Sequence, residues 1–455
     1  MRKVVNNDWY KLTPLTCGLC IFAFFNCVLV NIVLILIPPF NWKCTVMYHA
    51  SKFVLLKPGD ADSWTPMLDA LHYLQSIHNK PLYSAIFFEA KTKFQYPPTS
   101  LLPLSFLKNI TPNEAAVQCA LNLVSWVLLA IMIFFIIKIF DLSLRRSIGN
   151  DLENSSRVDT LIRNIALICL SLTFYPAMKA YSLGQIQTWL NSMFTIVFWC
   201  WMNNEGKLAG GLTGVMLLIK PQYLIIMIWG FLCRRWSFVI SSLSVFLGGL
   251  LISLCLFGFA NHMDYLKVLS YISKHGEAYY PNQSINGLLN RLFFNGSAMK
   301  WEGDAFAPFN IFVYLGTALS SAILVGLALL GAVKSKEKGN ILDLAIVALS
   351  CTIASPVAWE HHYGILLPIY AFLTPLLAKQ PILGKLTFPL LGLAYVLSSN
   401  YLPIFNKVAG VAVLNILQSY LLFASLLLLA YLYILKLRKI RLTNQSPDSI
   451  CRFSS

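Results

Sequence analysis

Apolar runs of about 20 residues, each bounded by charged or turn-forming positions, recur along the whole of this chain. A helix rises about 1.5 Å per residue, so such a run crosses a hydrocarbon layer of roughly 30 Å, within which the backbone must satisfy its own hydrogen bonds. The runs fall at 14–36, 121–140, 161–174, 189–202, 238–259, 311–333, 341–354, 364–378, 386–402 and 411–435. With 57% of 455 residues hydrophobic and only 12% charged, there is more apolar surface than one water-soluble core can hide. The expectation is an all-α polytopic membrane protein of about ten to twelve transmembrane helices, forming one unit over residues 1–455. The first run is too long for a signal-peptide core and reads as a retained span. Most of the 11 cysteines lie inside apolar runs, which argues against both a disulfide framework and a zinc site.

The formal charge is +16, yet the basic residues are dispersed between the apolar runs and form no nucleic-acid-binding stripe. They report orientation instead. Arg2, Lys3 and Lys11 precede the first run; Arg145, Arg146, Lys207, Arg234, Arg235, Lys334, Lys336, Lys338, Lys379, Lys385 and the tail 436–455 follow. Placing all of these in the cytoplasm gives a consistent threading through a plasma or inner membrane. Both termini then lie inside, and two long connections, 39–114 and 262–310, lie outside. Residues 207–236 carry basic residues at both ends and Lys220-Pro221 at the centre. Pro221 cannot continue a helix, and each arm of about 12 residues reaches only roughly 18 Å, so a re-entrant helix pair lining a cavity is expected here.

Charge beside apolar segments is expensive, and its positions are the first candidates for function. They are Asp60, Asp62 and Asp69 in the first connection; Lys179 and Gln185 after Tyr175-Pro176; Lys220; Arg291 in the second connection; and the run Trp359-Glu360-His361-His362. Each has a plainer reading. Asp69 suits the first turn of a surface helix whose first helical position is Pro66. Asp62 suits a turn, Lys220 a side chain snorkelling to the interface, and the histidines, with Trp359, an interfacial cap. Lys179 suits an exposed loop, and Tyr96 a rigid turn before Pro97-Pro98. Glu360 and the histidines lack both HExxH spacing and a third ligand, so no metal is expected. Taken together, the set supplies a carboxylate to accept a proton, cations to hold a phosphate, and aromatic and amide groups for a sugar. That inventory fits sugar transfer from a polyprenyl-phosphate donor, in which a base deprotonates the acceptor hydroxyl while cations stabilise the departing phosphate.

The order Asp62, Pro81-Leu82-Tyr83, Phe94-Gln95-Tyr96-Pro97-Pro98, Gly184-Gln185, Ala209-Gly210-Gly211, Lys220-Pro221, Asn282-Gln283-Ser284, Arg291, Ser355-Pro356 and Trp359-Glu360-His361-His362 resembles the membrane glycosyltransferases of family 87. The resemblance runs over about residues 60–370. It implies a GT-C fold and an inverting transfer on the outer membrane face, from a polyprenyl-phosphate sugar, most readily mannose, to a lipid-linked or envelope glycan. It implies no cofactor. Asp62 fits the family's general base, with Asp69 as second choice and Asp60 as a further alternative. Lys220, His361, His362 and Arg291 fit the donor phosphate or its sugar, and Tyr96, Gln185, Lys179, Trp359 and Glu360 shape the pocket. The main rival is a secondary transporter or lipid flippase, because a broken helix with a buried cation also suits an anionic cargo. A non-catalytic assembly subunit is the other.

Overall fold

The computed structural model describes residues 12–37, 41–76, 79–148, 156–334 and 338–445. Arg2, Lys3, Lys11 and Lys336, used above for orientation, lie outside the described residues. The described residues are mostly helical, and their one strand-like feature is an isolated antiparallel bridge between Asn282 and Trp359. Five helical stretches are long and apolar enough to cross a membrane: Pro14–Leu36, Glu114–Ser147, Trp236–Phe257, Ile311–Val333 and Leu414–Arg438. A sixth arises if Arg157–Leu172 and Tyr175–Ser182, bent by 57°, count as one. The other expected runs form shorter helices, among them Gln187–Met202, Ile341–Ala354, Leu366–Lys379 and Thr387–Ser399.

Local chemistry explains the ends. Thr13 caps the first helix by accepting from the Thr16 N–H at 3.3 Å, with Pro14 at the first helical position, where its missing N–H costs nothing. Ser156 and Asn340 cap their helices in the same way, accepting from the Asp159 and Asp343 N–H groups at 3.0 and 2.9 Å. The bend before Tyr175 coincides with Pro176, which cannot donate to the preceding turn.

The Gly206–Ile219 helix ends at Lys220, Pro221 opens the next turn, and Leu224–Leu232 follows. Gly206 and Gly210 lie against Ser237 and Phe238, and Gly230 lies against Phe238 and Val239. Both arms therefore meet the same end of the Trp236–Phe257 helix, and Lys220 stands at the far tip of a hairpin. Gly210 and Gly214 have no room for a Cβ, because the backbone of Trp236–Phe257 crosses there. Small residues at this four-residue spacing are what close helix approach in a membrane requires.

Candidate active site

Asp62 is positioned by backbone pairing between two loops. Asp60 and Asp62 donate their N–H groups to the Ser182 and Leu183 carbonyls, both at 3.0 Å, and Ser63 donates to the Gly184 carbonyl at 3.3 Å. Gly184 makes this stitch possible: its φ is +66°, and a Cβ there would overlap the Asp60 carbonyl. The helix that follows is Trp64–Gln75, with Trp64, Met67, Leu68, Ala70 and Leu71 buried. It begins slightly before the expected Thr65-Pro66. Ser63 stands at its N-cap without capping it, because the Ser63 hydroxyl donates to Gln185 Oε1 at 2.7 Å.

Gln185 is the hinge of a polar chain. Its Nε2 donates to Asp62 Oδ2, and its Oε1 also accepts from the Tyr96 hydroxyl at 3.4 Å. Asp62 opens onto a cavity yet is hemmed in by protein atoms. That desolvation raises its carboxyl above the ordinary value of 3.8, partly opposed by the Gln185 amide and by Lys179. A carboxyl raised in this way is a better proton acceptor than a free one.

The cavity measures about 950 Å³. It is lined by Asp62, Tyr96, Lys179, Gln185, Lys220, Trp359, Glu360, His361 and His362, so that residues distant in sequence share one chamber. Lys220 forms its floor, donating to Gln187 Oε1 at 2.7 Å and sharing a 2.8 Å hydrogen bond with His362 Nε2. Burial and the nearby Lys220 cation push both imidazoles well below their usual 6.5, so His361 and His362 are neutral. Among the described residues, His361 Nε2 and His362 Nδ1 are buried without a hydrogen-bond partner. Glu360 accepts from the Tyr175 hydroxyl at 3.2 Å and from that of Tyr420 at 3.4 Å, and its burial raises it to about 7. The Asn282–Trp359 bridge holds this run in place. It is extended by Gln283 N–H to the Ala358 carbonyl at 2.8 Å and Glu360 N–H to the Pro281 carbonyl at 2.9 Å.

Two expected site residues lie elsewhere. Asp69 is exposed on the Trp64–Gln75 helix and does not line the cavity. Arg291 is buried but also off the cavity. Its guanidinium donates to the carbonyls of Ala278, Tyr279 and Asn282 at 3.5, 3.4 and 2.9 Å, and to the Ser419 hydroxyl at 2.6 Å. Arg291, expected at the donor phosphate, is thus placed off the cavity as a clasp between loops, its Nη1 and Nη2 held by these oxygens and its Nε buried without a partner among the described residues. Conversely, the sequence reading missed Lys93, Tyr279 and Trp301, all on the cavity wall. Lys93, three residues before Tyr96, was the one signal available.

With that geometry in hand, comparison with known proteins becomes informative. Residues 94–356, more than half of the chain, match the family model for glycosyltransferase family 87. The chain belongs to glycosyltransferase family 87. An alpha-(1->3)-arabinofuranosyltransferase of Corynebacterium glutamicum is 23% identical over 201 residues, which is 44% of this chain and 44% of that relative. The family match takes in Tyr96, Lys179, Gln185 and Lys220. Asp62 precedes it and the Trp359–His362 run follows it, and the fold brings both to the matched residues. Family membership and the long apolar helices together make the chain a membrane-protein member of a glycosyltransferase family.

Proposed function

We propose that the protein transfers a sugar, with inversion, from a polyprenyl-phosphate donor to a lipid-linked or envelope glycan on the extracytoplasmic face of the membrane. The observation that carries this reading is the shared chamber: one carboxylate of raised basicity, Asp62, and one buried cation with neutral partners, Lys220, line the same cavity. Asp62 takes the proton of the acceptor hydroxyl. The resulting oxygen attacks the anomeric carbon from the face opposite the phosphate, and the bond from that carbon to the phosphate oxygen breaks. Negative charge then grows on the polyprenyl phosphate, where Lys220, Lys179 and the N–H groups of the two histidines stabilise it. No cofactor or metal takes part in this scheme.

The donor's lipid also has a place. Leu224, Ile225, Ile228, Leu269 and Ile272 form an apolar flank of the cavity, and Leu224, Ile228 and Leu269 are exposed on the bundle surface. An isoprenoid chain lies against this flank from the bilayer side. Mannose is the first choice of sugar. A pentofuranose is the alternative, favoured by the similarity to an arabinofuranosyltransferase.

The test is purified protein in lipid vesicles, supplied with labelled polyprenyl-phosphate mannose or arabinofuranose and candidate glycolipids. Labelled glycolipid product that disappears with Asp62→Asn is the expected result. Robust movement of the labelled lipid between leaflets without any transfer would replace this reading with the flippase.

A further inference from the structure

One wall of the cavity is used neither by proton transfer nor by phosphate binding. It consists of Lys93, Tyr279, Trp301 and Trp359. The three rings form a cluster, with centroids 5.3 Å apart for Trp301–Trp359, 5.8 Å for Tyr279–Trp301 and 6.4 Å for Tyr279–Trp359. The Lys93 ammonium sits 3.9 Å from the Trp301 ring centroid and 4.3 Å from that of Phe306. Behind it, Glu277 closes a 2.5 Å ion pair with Lys93, and both side chains are nearly fully buried.

This pairing separates the wall from the floor. Lys220 has only neutral partners and no carboxylate to give up when an anion arrives, whereas Lys93 is already paired at contact distance and offers a phosphate little. What Lys93 does is fix Trp301, whose loop lies between the Ile285–Leu292 and Ile311–Lys334 helices and has no regular structure of its own. Although Lys93 covers one ring face, Trp301 remains 43% exposed, a large apolar ring held open on a cavity wall. An amphipathic ring of this kind takes a ligand with apolar C–H faces and polar edges, as a sugar has. The wall also adjoins the base. Lys93 precedes Tyr96 by three residues of non-helical chain, roughly 10 Å at most. The Tyr96 hydroxyl lies 3.3 Å from Ser63 Oγ, next in sequence to Asp62.

We propose that Trp301, supported by Lys93 and flanked by Trp359 and Tyr279, is the stacking platform of a subsite for the acceptor's sugar, separate from the donor's phosphate and lipid. The proposal rests on the glycosyl-transfer reading. Glu277 acts here as a positioning residue, through Lys93.

Isothermal titration of the full-length protein in detergent tests it, with octyl α-mannoside and octyl α-arabinofuranoside as sugar probes and sugar-free polyprenyl phosphate as the anion probe. Trp301→Ala should weaken binding of at least one glycoside about tenfold, the order expected for loss of an aromatic stack, and leave polyprenyl phosphate affinity unchanged. Trp301→Phe should restore most of the loss, and Lys93→Met, which keeps the ring but frees it, should weaken glycoside binding severalfold. The proposal is overturned if the wild type binds neither glycoside saturably, if Trp301→Ala leaves glycoside binding intact, or if it weakens polyprenyl phosphate equally. Should Trp301→Ala not fold, Lys93→Met decides alone: unchanged glycoside binding overturns the platform. Glycoside binding that depends on Trp301 in a protein that transfers no sugar would uphold the subsite and sink only the transfer reading.

Discussion

At the end of the bundle away from the long connections, buried charges meet their opposites. Lys436 lies 2.5 Å from Asp343, and Arg163 lies 3.1 Å from Asp159 and 3.3 Å from Asp141. At the cavity end the arrangement is different. Lys220 is held by an amide and an imidazole, and among the described residues no carboxylate lies within bridging distance of Lys179. The two ends are joined by the same helices, since Ile341–Ala354 starts at the Asp343 pair and runs out to Ser355 and Pro356 on the cavity wall. Removing an ion from water is costly, and direct pairing offsets much of that cost. At the cavity Lys93 is paired with Glu277, but Lys220 and Lys179 are left without a carboxylate among the described residues, which keeps those two for something that arrives from outside.

The sharpest way to break this contrast is at Asp62. Asp62→Asn should lower transfer by about 10²–10⁴-fold, the usual range for a general base, with donor affinity unchanged. A loss smaller than about tenfold in a radiolabel transfer assay would place the base elsewhere. Next come the two lysines. Lys220→Met should reduce kcat by about 10²–10³-fold, as loss of one charge-stabilising donor does. Lys436→Met should leave the kcat of folded protein unaltered while lowering its stability by about 3–5 kcal/mol, because Asp343 loses its partner. Thermal unfolding and kinetics on both variants would expose any mixing of the two roles.

Arg291→Met tests whether a buried cation in the loop region belongs to the floor or to the clasp. Abandoning the carbonyls of the 278–282 loop should destabilise the protein by about 3 kcal/mol, with the donor KM of the remaining folded fraction unchanged. An increase in KM would return Arg291 to the donor site.

The smallest effect concerns acidity. If Asp62 is the base, activity falls as pH drops through its pKa, and partial desolvation by the surrounding protein places that limb above the one an ordinary aspartate would give. The Gln185 N–H favours the charged form. Gln185→Leu should therefore move the acid limb of kcat/KM to higher pH. A downward movement would show that Gln185 does not bond the carboxylate during turnover.

Much of the fold is legible because lipid leaves the backbone few choices. The Pro14–Leu36 and Ile311–Val333 spans fall where the apolar runs put them, and Ile341–Ala354 coincides with its run. Pro221 marks the end of the preceding helix, since it has no N–H to give. The site is less legible. Choosing Asp62 over Asp69 depends on the stitch between residues 60–63 and 182–184, a pairing of two loops more than 100 positions apart that no periodicity announces. Arg291 misleads for a related reason: a sequence shows that a cation is present but not whether nearby carbonyls have already used its donors. Trp301 is missed because an aromatic residue in a long loop looks the same whether it anchors at an interface or faces a cavity.

The exposed leucines and isoleucine on the cavity flank change how substrate supply should be counted. On the proposed reading, a chamber flanked by the exposed Leu224, Ile228 and Leu269 would be fed by diffusion within a sheet rather than through a volume. Its saturation then follows the donor's mole fraction among surrounding lipids. Diluting vesicles with buffer leaves the rate per enzyme unaltered, and diluting the bilayer with inert phospholipid slows it.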